Sequence, residues 1–446
     1  MDLATGSGRE GGAELTLQVL CYTKYLQMRS PNPLKKERRL ARRIFKSLAV
    51  FAMLGIFGLA ILLAALWLEH NIGVTLPAPT GPFAVGRAIY DWVDDRTLDV
   101  LAPVPGAKRE LLVWIWYPAT RGPSSAIADY MPVSMRTAIE RGNGTLISKF
   151  LTRDLSKVHA HSLRDAEVSP EKQSYPVVMM RTGASLEVAN YTTLAEDLAS
   201  HGYVVVGFDA PYRSFVVVFP DGRVMRRTPE NNPENCLGRT PQEVELCANR
   251  LLNVWTSDMS FVFDRLQELN DAKAPGKFAG RLDLRRIGVF GHSFGGAATL
   301  LFCHQDSRCK AGIDLDGAPH GDVIQTGLKQ PFAFFLSDHS RESGPETSQI
   351  EGDIQSIYDR LPADSRLRLT IRGANHFTFT DDGALLKSHF VRGIFRATGR
   401  LGMDGPRQLA VTSYCLRSFF DAHLKGTNDL SAKIPSPAYP EIQVIR

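Results

Sequence analysis

Gly291-His292-Ser293-Phe294-Gly295-Gly296 follows the apolar run Arg286-Ile287-Gly288-Val289-Phe290 and precedes the helix-like Ala297-Ala298-Thr299-Leu300-Leu301-Phe302. The stretch reads as a strand, a sharp turn and a helix. A turn of this kind forces its central residue into strained backbone angles, and glycines two positions either side let strand and helix approach closely enough to hold it. The Ser293 hydroxyl is thereby lifted clear of the sheet as a nucleophile. The Phe294 amide, at the start of the helix, points toward the same spot, where it and the helix dipole stabilise an oxyanion.

Working outward, the apolar runs Pro176 to Met180 and Tyr203 to Asp209 flank a helix around Tyr191 to Ser200, which makes a βαβ unit. Further runs follow at Arg286 to Phe290, Ala311 to Leu315, Pro331 to Leu336 and Leu367 to Ile371. Strands buried on both faces read as continuous apolar runs, so the expected architecture is α/β, a mostly parallel central sheet with helices on both faces. Leu111 to Tyr117 reads as an early strand closed by Pro118. Tyr130 to Lys172 holds an amphipathic helix around Met135 to Phe150. In the same segment His159 and His161 share one face of an extended chain; with no further ligands nearby they read as a surface strand and not as a metal site. Between Asp209 and Arg286 the crossover is too long for one helix. Phe215 to Arg227, centred on Pro220-Asp221-Gly222, reads as a hairpin and Asn231 to Gly238 as a loop, before a helix from about Pro241 to Asn270. An insertion at about 214–257 therefore caps a site or ornaments the surface.

A serine nucleophile needs a base, and the base needs an acid to orient it. His376 is the expected base, because it follows the strand Leu367 to Ile371 in the turn Arg372-Gly373-Ala374-Asn375. His320 and His339 come too early, His389 lies in a helix-like stretch, and His423 sits in the final amphipathic helix. Two aspartates end apolar strands, Asp316 and Asp338, and spacing does not choose between them as the acid. Asp314 reads as a buried hydrogen-bonding acid.

The chain has 446 residues and a net charge of +5, with 44% hydrophobic and 22% charged residues, values of a globular protein. Arg29, Lys35, Lys36, Arg38, Arg39, Arg42, Arg43 and Lys46 carry the positive excess, so the remainder is near balance and a nucleic-acid partner is not indicated. Leu48 to Leu68 is uninterrupted apolar sequence, and about twenty helical residues cross a hydrocarbon core of roughly 30 Å. The basic cluster precedes it, which by the positive-inside rule puts the N-terminus in the cytoplasm and all that follows His70 outside. The expected organisation is a basic cytoplasmic segment (1–46), a transmembrane signal anchor (47–69), a linker (70–80) and a catalytic domain (81–446). A cleaved signal peptide with secretion is the rival reading, and Arg42-Arg43-Ile44-Phe45-Lys46 resembles a twin-arginine export signal. Cys21 falls on the cytoplasmic side. Cys236 with Cys247 and Cys303 with Cys309 are close enough for local disulfides, leaving Cys415 free; reduced, buried thiols are the alternative.

Gly81-Pro82-Phe83-Ala84-Val85-Gly86, Asp197 to Tyr203, Gly291 to Gly296, Ile371 to His376 and Phe419 to Leu424 together resemble the plasma type of platelet-activating factor acetylhydrolase and its bacterial relatives. These are similar in turn to dienelactone hydrolases and bacterial polyester-cleaving cutinases. The resemblance implies an α/β-hydrolase fold and a serine ester hydrolase with Ser293 as nucleophile, His376 as base and Asp316 as acid; a cutinase-like arrangement implies Asp338 instead. It implies an oxyanion hole of the Phe294 and Ala184 amides, and short or oxidised acyl chains, including phospholipid-type esters, as substrate. No cofactor or metal is called for. A cutinase- or lipase-like hydrolase of other esters and a hydrolase-like binding module without turnover are the other readings. The family carries a His-Gly pair where this chain has Arg181-Thr182-Gly183-Ala184-Ser185. There Arg181 reads as a surface salt-bridge former or as a contact for an anionic substrate group.

Overall fold

The computed structural model describes Lys24 and residues 33–445, apart from 124, 237–239, 341–342, 387–391, 394–395, 399–401 and 427–429. Cys21, Arg29 and His389 lie outside the described residues. The chain divides into two compact units, Met1–Trp67 and Leu68–Arg446. Helix α1, Pro33–His70, accounts for nearly all that is described of the first. It is long and apolar enough to cross a membrane, with a mean hydropathy of 2.7 in its most apolar window and none of that window buried.

The second unit is built on one ten-stranded sheet. In chain order its strands are β1 (Ala84–Leu98), β2 (Lys108–Ala119), β3 (Leu163–Arg164), β4 (Tyr175–Arg181), β5 (Val204–Asp209), β6 (Leu282–His292), β7 (Ala311–Leu315), β8 (Phe332–Leu336), β9 (Arg366–Ile371) and β10 (Ile442–Val444). They lie side by side in the order β10-β9-β8-β7-β6-β4-β5-β2-β1-β3. From β5 to β9 neighbours are parallel; β2 on one side and β10 on the other pair antiparallel with them. Every residue of β5, β7 and β8 is buried, the largely apolar sequence of these strands being broken only by the buried acids Asp209 and Asp314.

Successive side chains leave a strand on opposite faces. Val178 and Met180 accordingly join a core with helices α2 (Thr192–Ser200) and α6 (Gly405–Phe420), while Val177 and Met179 join the other core. That second core is closed by α3 (Pro241–Leu269), α4 (Phe294–Gln305) and α5 (Pro345–Arg360). The architecture is the α/β one expected.

Some expectations are corrected. β1 has no counterpart in the sequence reading, because its second half, Asp91-Trp92-Val93-Asp94-Asp95-Arg96, runs largely into solvent and carries no apolar run. Pro118 does not close β2 but lies within it, opposite Val85. β5 pairs only as far as Trp116, so the proline sits where its missing donor is not needed on that side. The helix expected at Met135 to Phe150 is Val133–Asn143 followed by a π-helical turn at Ile147–Leu151, broken at Gly144 with φ 77°. Both cysteine pairs are disulfides, Cys236–Cys247 and Cys303–Cys309, and Cys415 is free and buried.

Candidate active site

Ser293 stands at the end of β6 as the residue capping α4, with φ 56° and ψ −127°. The strain is held from both sides: its N–H donates to Leu315 O at 2.9 Å, and its carbonyl accepts the Gly296 N–H at 2.8 Å. The glycines are required by contact. A Cβ on Gly291 would lie 2.0 Å from Gly295 O, and one on Gly296 would lie 1.8 Å from Asp314 Oδ1.

Asp316 follows β7 at φ 60°. His376 opens a short helix, His376–Phe379, after β9, and its Nδ1 lies 2.6 Å from Asp316 Oδ2. The Asp316 carboxylate takes three more hydrogen bonds: from Ser337 N (2.7 Å) and His339 Nε2 (2.8 Å) on Oδ1, and from Ser337 Oγ (2.7 Å) on Oδ2. Burial alone would raise its pKa, but the hydrogen bonds and charges of His339 and His376 more than offset this and hold it well below the usual carboxylate range. These partners favour its anionic form. Asp338 is turned elsewhere: its Oδ2 accepts the Gly373 N–H at 2.7 Å and its own N–H donates to Ala374 O at 3.1 Å, so it braces the loop that carries His376. Asp314 is fully buried and accepts the Gly317 N–H at 2.8 Å; burial, against that hydrogen bond, pushes its pKa up to about 8.

Ser293, Asp316 and His376 line one cavity of about 830 Å³ together with Ala184 and Phe294. Among the described residues the N–H groups of Phe294 and Ala184 have no hydrogen-bond partner in the protein. The insertion contributes Pro233, Cys236, Val244 and Ala248 to one wall, so it borders the site. Across the cavity stand Ile350 and Ile354 of α5 with Thr370 of β9.

Arg181 is neither a surface residue nor a cavity contact. It is 1% exposed, with its guanidinium 3.8 Å from the Trp255 ring centroid and 4.6 Å from that of Phe208. Burial lowers its pKa to about 9. Trp255 in turn meets Phe294 edge-on at 4.9 Å, so the arginine supports the floor of the site from behind. His161 gives its Nε2 to Leu76 O at 2.9 Å, and among the described residues no cluster suited to a metal is found. His320 pairs with Glu245 of α3, and the His423 ring packs at a tilt against Phe419, 4.5 Å between centroids. His339, set aside in the sequence as too early, binds Asp316; only the pairing of β7 with β8 brings the two strand ends together, and no spacing could have signalled it.

The chain is similar to several known esterases. The family model described as platelet-activating factor acetylhydrolase, isoform II, matches residues 240–431. A probable 1-alkyl-2-acetylglycerophosphocholine esterase of Arthroderma benhamiae is 26% identical over 389 residues, 82% of this chain and 92% of that protein. Platelet-activating factor acetylhydrolase of Cavia porcellus is 25% identical over 223 residues, 47% of this chain and 49% of that one, so the chain matches about half the length of this relative. Among solved structures, a ferulic acid esterase from Streptomyces cinnamoneus superposes with a TM-score of 0.68 at 28% identity, covering 84% of this chain and all of that one. The fold is that of the α/β-hydrolases. Within that class the chain is similar to the platelet-activating factor acetylhydrolases, and it is a carboxylic ester hydrolase.

Proposed function

We propose that the chain cleaves esters by two-step acyl transfer, with Ser293 as nucleophile, His376 as base and Asp316 as acid. The observation that carries this is the 2.6 Å contact of His376 Nδ1 with Asp316 Oδ2 beside a cavity that Ser293 also lines. An anionic Asp316 accepts from Nδ1–H, which leaves Nε2 free to take the Ser293 Oγ proton as Oγ bonds to the ester carbon. The carbonyl oxygen becomes an oxyanion facing the Phe294 and Ala184 amides. His376 Nε2–H then protonates the leaving alcohol, and water repeats the sequence on the acyl-enzyme to release the acid and restore Ser293.

The substrate class is phospholipid-type and related esters with short or oxidised acyl chains. Its support is the names of the fungal and mammalian relatives and the bounded, mostly apolar cavity. Helix α1 anchors the enzyme in a membrane with the catalytic unit exported, a reading supported by its exposed apolar surface and by disulfides, which persist in oxidising compartments.

The test is hydrolysis of p-nitrophenyl esters of rising acyl length by the full chain in detergent and by its Ser293→Ala variant. Turnover on short chains that fades on long ones and drops at least ~10³-fold without Ser293 is expected. Turnover indifferent to Ser293 sinks the mechanism, and turnover undiminished on long chains makes the cavity lipase- or cutinase-like. In the same preparation, alkaline carbonate washing leaves an anchored chain in the membrane; a shortened soluble product identifies α1 as a cleaved signal.

A further inference from the structure

The residue before the nucleophile is a histidine with no part in acyl transfer, yet it is among the most tightly held side chains in the site. His292 is 1% exposed, and its ring lies 4.6 Å from that of His376. Its Nδ1 is 2.8 Å from Tyr191 Oη, and its Nε2 is 2.9 Å from the His376 carbonyl oxygen. Tyr191, fully buried where α2 begins, has one more partner: the Gly183 N–H donates to its Oη at 2.9 Å. Three hydrogen bonds thus join the backbone of the loop after β4 to the backbone of the base.

The direction of this chain is forced from both ends. A backbone N–H only donates, so Tyr191 Oη accepts from Gly183 and gives its own proton to His292 Nδ1. An imidazole that accepts at Nδ1 carries its proton on Nε2, and the His376 carbonyl only accepts. Burial first, and the neighbouring His376 second, push the His292 pKa down to about 3, which keeps the ring neutral, the form this pattern needs. The packing leaves little slack: a Cβ on Gly183 would lie 3.2 Å from His292 Nδ1.

We infer that Tyr191 and His292 are positioning residues that lock the oxyanion loop at Gly183-Ala184 to the main chain of His376, so that hole and base are held in one fixed geometry. The inference rests on the acyl-transfer reading above. It gives a physical reason why a loop carrying Arg181-Thr182 can hold its Ala184 amide in place. Arg181, stacked on Trp255 and Phe208, pins the loop on one side, and the Tyr191 hydroxyl pins it on the other. Preorganised donors matter because they need no rearrangement when charge develops.

The test compares Tyr191→Phe, His292→Phe, the double variant and His292→Gln in the full chain. Each is assayed for kcat and KM on p-nitrophenyl acetate, with thermal melting alongside. Tyr191→Phe removes one oxygen and nothing else. It is expected to lower kcat by ~10-fold or more while KM stays within about threefold, since the loss falls on the transition state. The double variant is expected to be no slower than the worse single variant, because a chain cut once is already cut. His292→Gln, which keeps a donor and an acceptor, retains more kcat than His292→Phe. A Tyr191→Phe enzyme with parental kcat overturns the inference, as do single losses that multiply in the double variant or a kcat that only tracks melting temperature. Absence of Ser293-dependent turnover in the parent chain would instead defeat the reading beneath it.

Discussion

Asp316 and Asp338 both end apolar strands, and at the residue scale they differ in what they hold. Asp316 takes four hydrogen bonds, one of them from the His376 ring, whereas Asp338 gives an oxygen to the Gly373 amide. Asp316→Asn is expected to lower kcat by ~10³–10⁴-fold, because an amide in place of the carboxylate favours the wrong imidazole tautomer. Asp338→Asn disturbs the loop hydrogen bonds from the Gly373 and Ser340 amides and is expected to cost about 1 kcal/mol in urea unfolding while kcat stays within about threefold. The reverse ranking in steady-state assays would make Asp338 the acid. Strand spacing could offer both residues and could not choose; the family resemblance implied Asp316, and the contact itself depends on which carboxylate reaches the His376 ring across β7, β8 and β9.

The element that shapes the cavity is α3. Its start is fixed by a reciprocal cap, Thr240 Oγ1 receiving the Glu243 N–H and the Glu243 carboxylate receiving the Thr240 N–H. The Cys236–Cys247 disulfide ties the preceding loop to it, and Glu245 reaches across to His320 Nδ1 (3.1 Å) and the Gly321 N–H (2.9 Å). The wall formed by Val244 and Ala248 is therefore braced at several points. Val244→Trp, at a half-buried position on that wall, is expected to raise KM for longer p-nitrophenyl esters by ~10-fold or more and leave the acetate within about threefold. An equal effect on all chain lengths would mean that this wall does not meet the acyl chain. The helix from about Pro241 to Asn270 and the hairpin centred on Pro220-Asp221-Gly222 were both legible in the sequence. That the helix borders the cavity was not, because an insertion's packing partner is far off in the chain.

Over the whole molecule, acids of opposite character set the pH response. Asp209, Asp314 and Asp381 are fully buried, and burial pushes their pKa values up to about 7, 8 and 8. An unfolded aspartate gives up its proton near 4, so between ~4 and ~8 the native state binds more protons and stability falls as pH rises. Asp316 has the opposite sign: its folded pKa is depressed, so its contribution is complete above ~4 and is lost as pH falls below that. These carboxylates by themselves favour the mildly acidic side, while His292, pushed down to about 3, opposes them below its unfolded value near 6.5. In thermal melts from pH 5 to 8, Asp314→Asn is expected to flatten the decline relative to the parent, because an amide has no proton to release. Parallel slopes would show Asp314 to be ionised in the folded state.

The sequence by itself determined the run of central parallel strands and their helices, the strained turn at Ser293, a histidine, His376, in the loop after Leu367 to Ile371, and an apolar segment of membrane-crossing length. Each of these is local, written in residue spacing within one strand, turn or helix. Only the tertiary structure decided that Asp316 meets His376, that His339 shares the same carboxylate, and that Tyr191 and His292 connect the loop after β4 to the main chain of His376. It also turned Arg181 from a surface charge into a buried cation stacked on two aromatic rings. Those contacts join residues tens to hundreds of positions apart, and strand order alone sets which of them become neighbours.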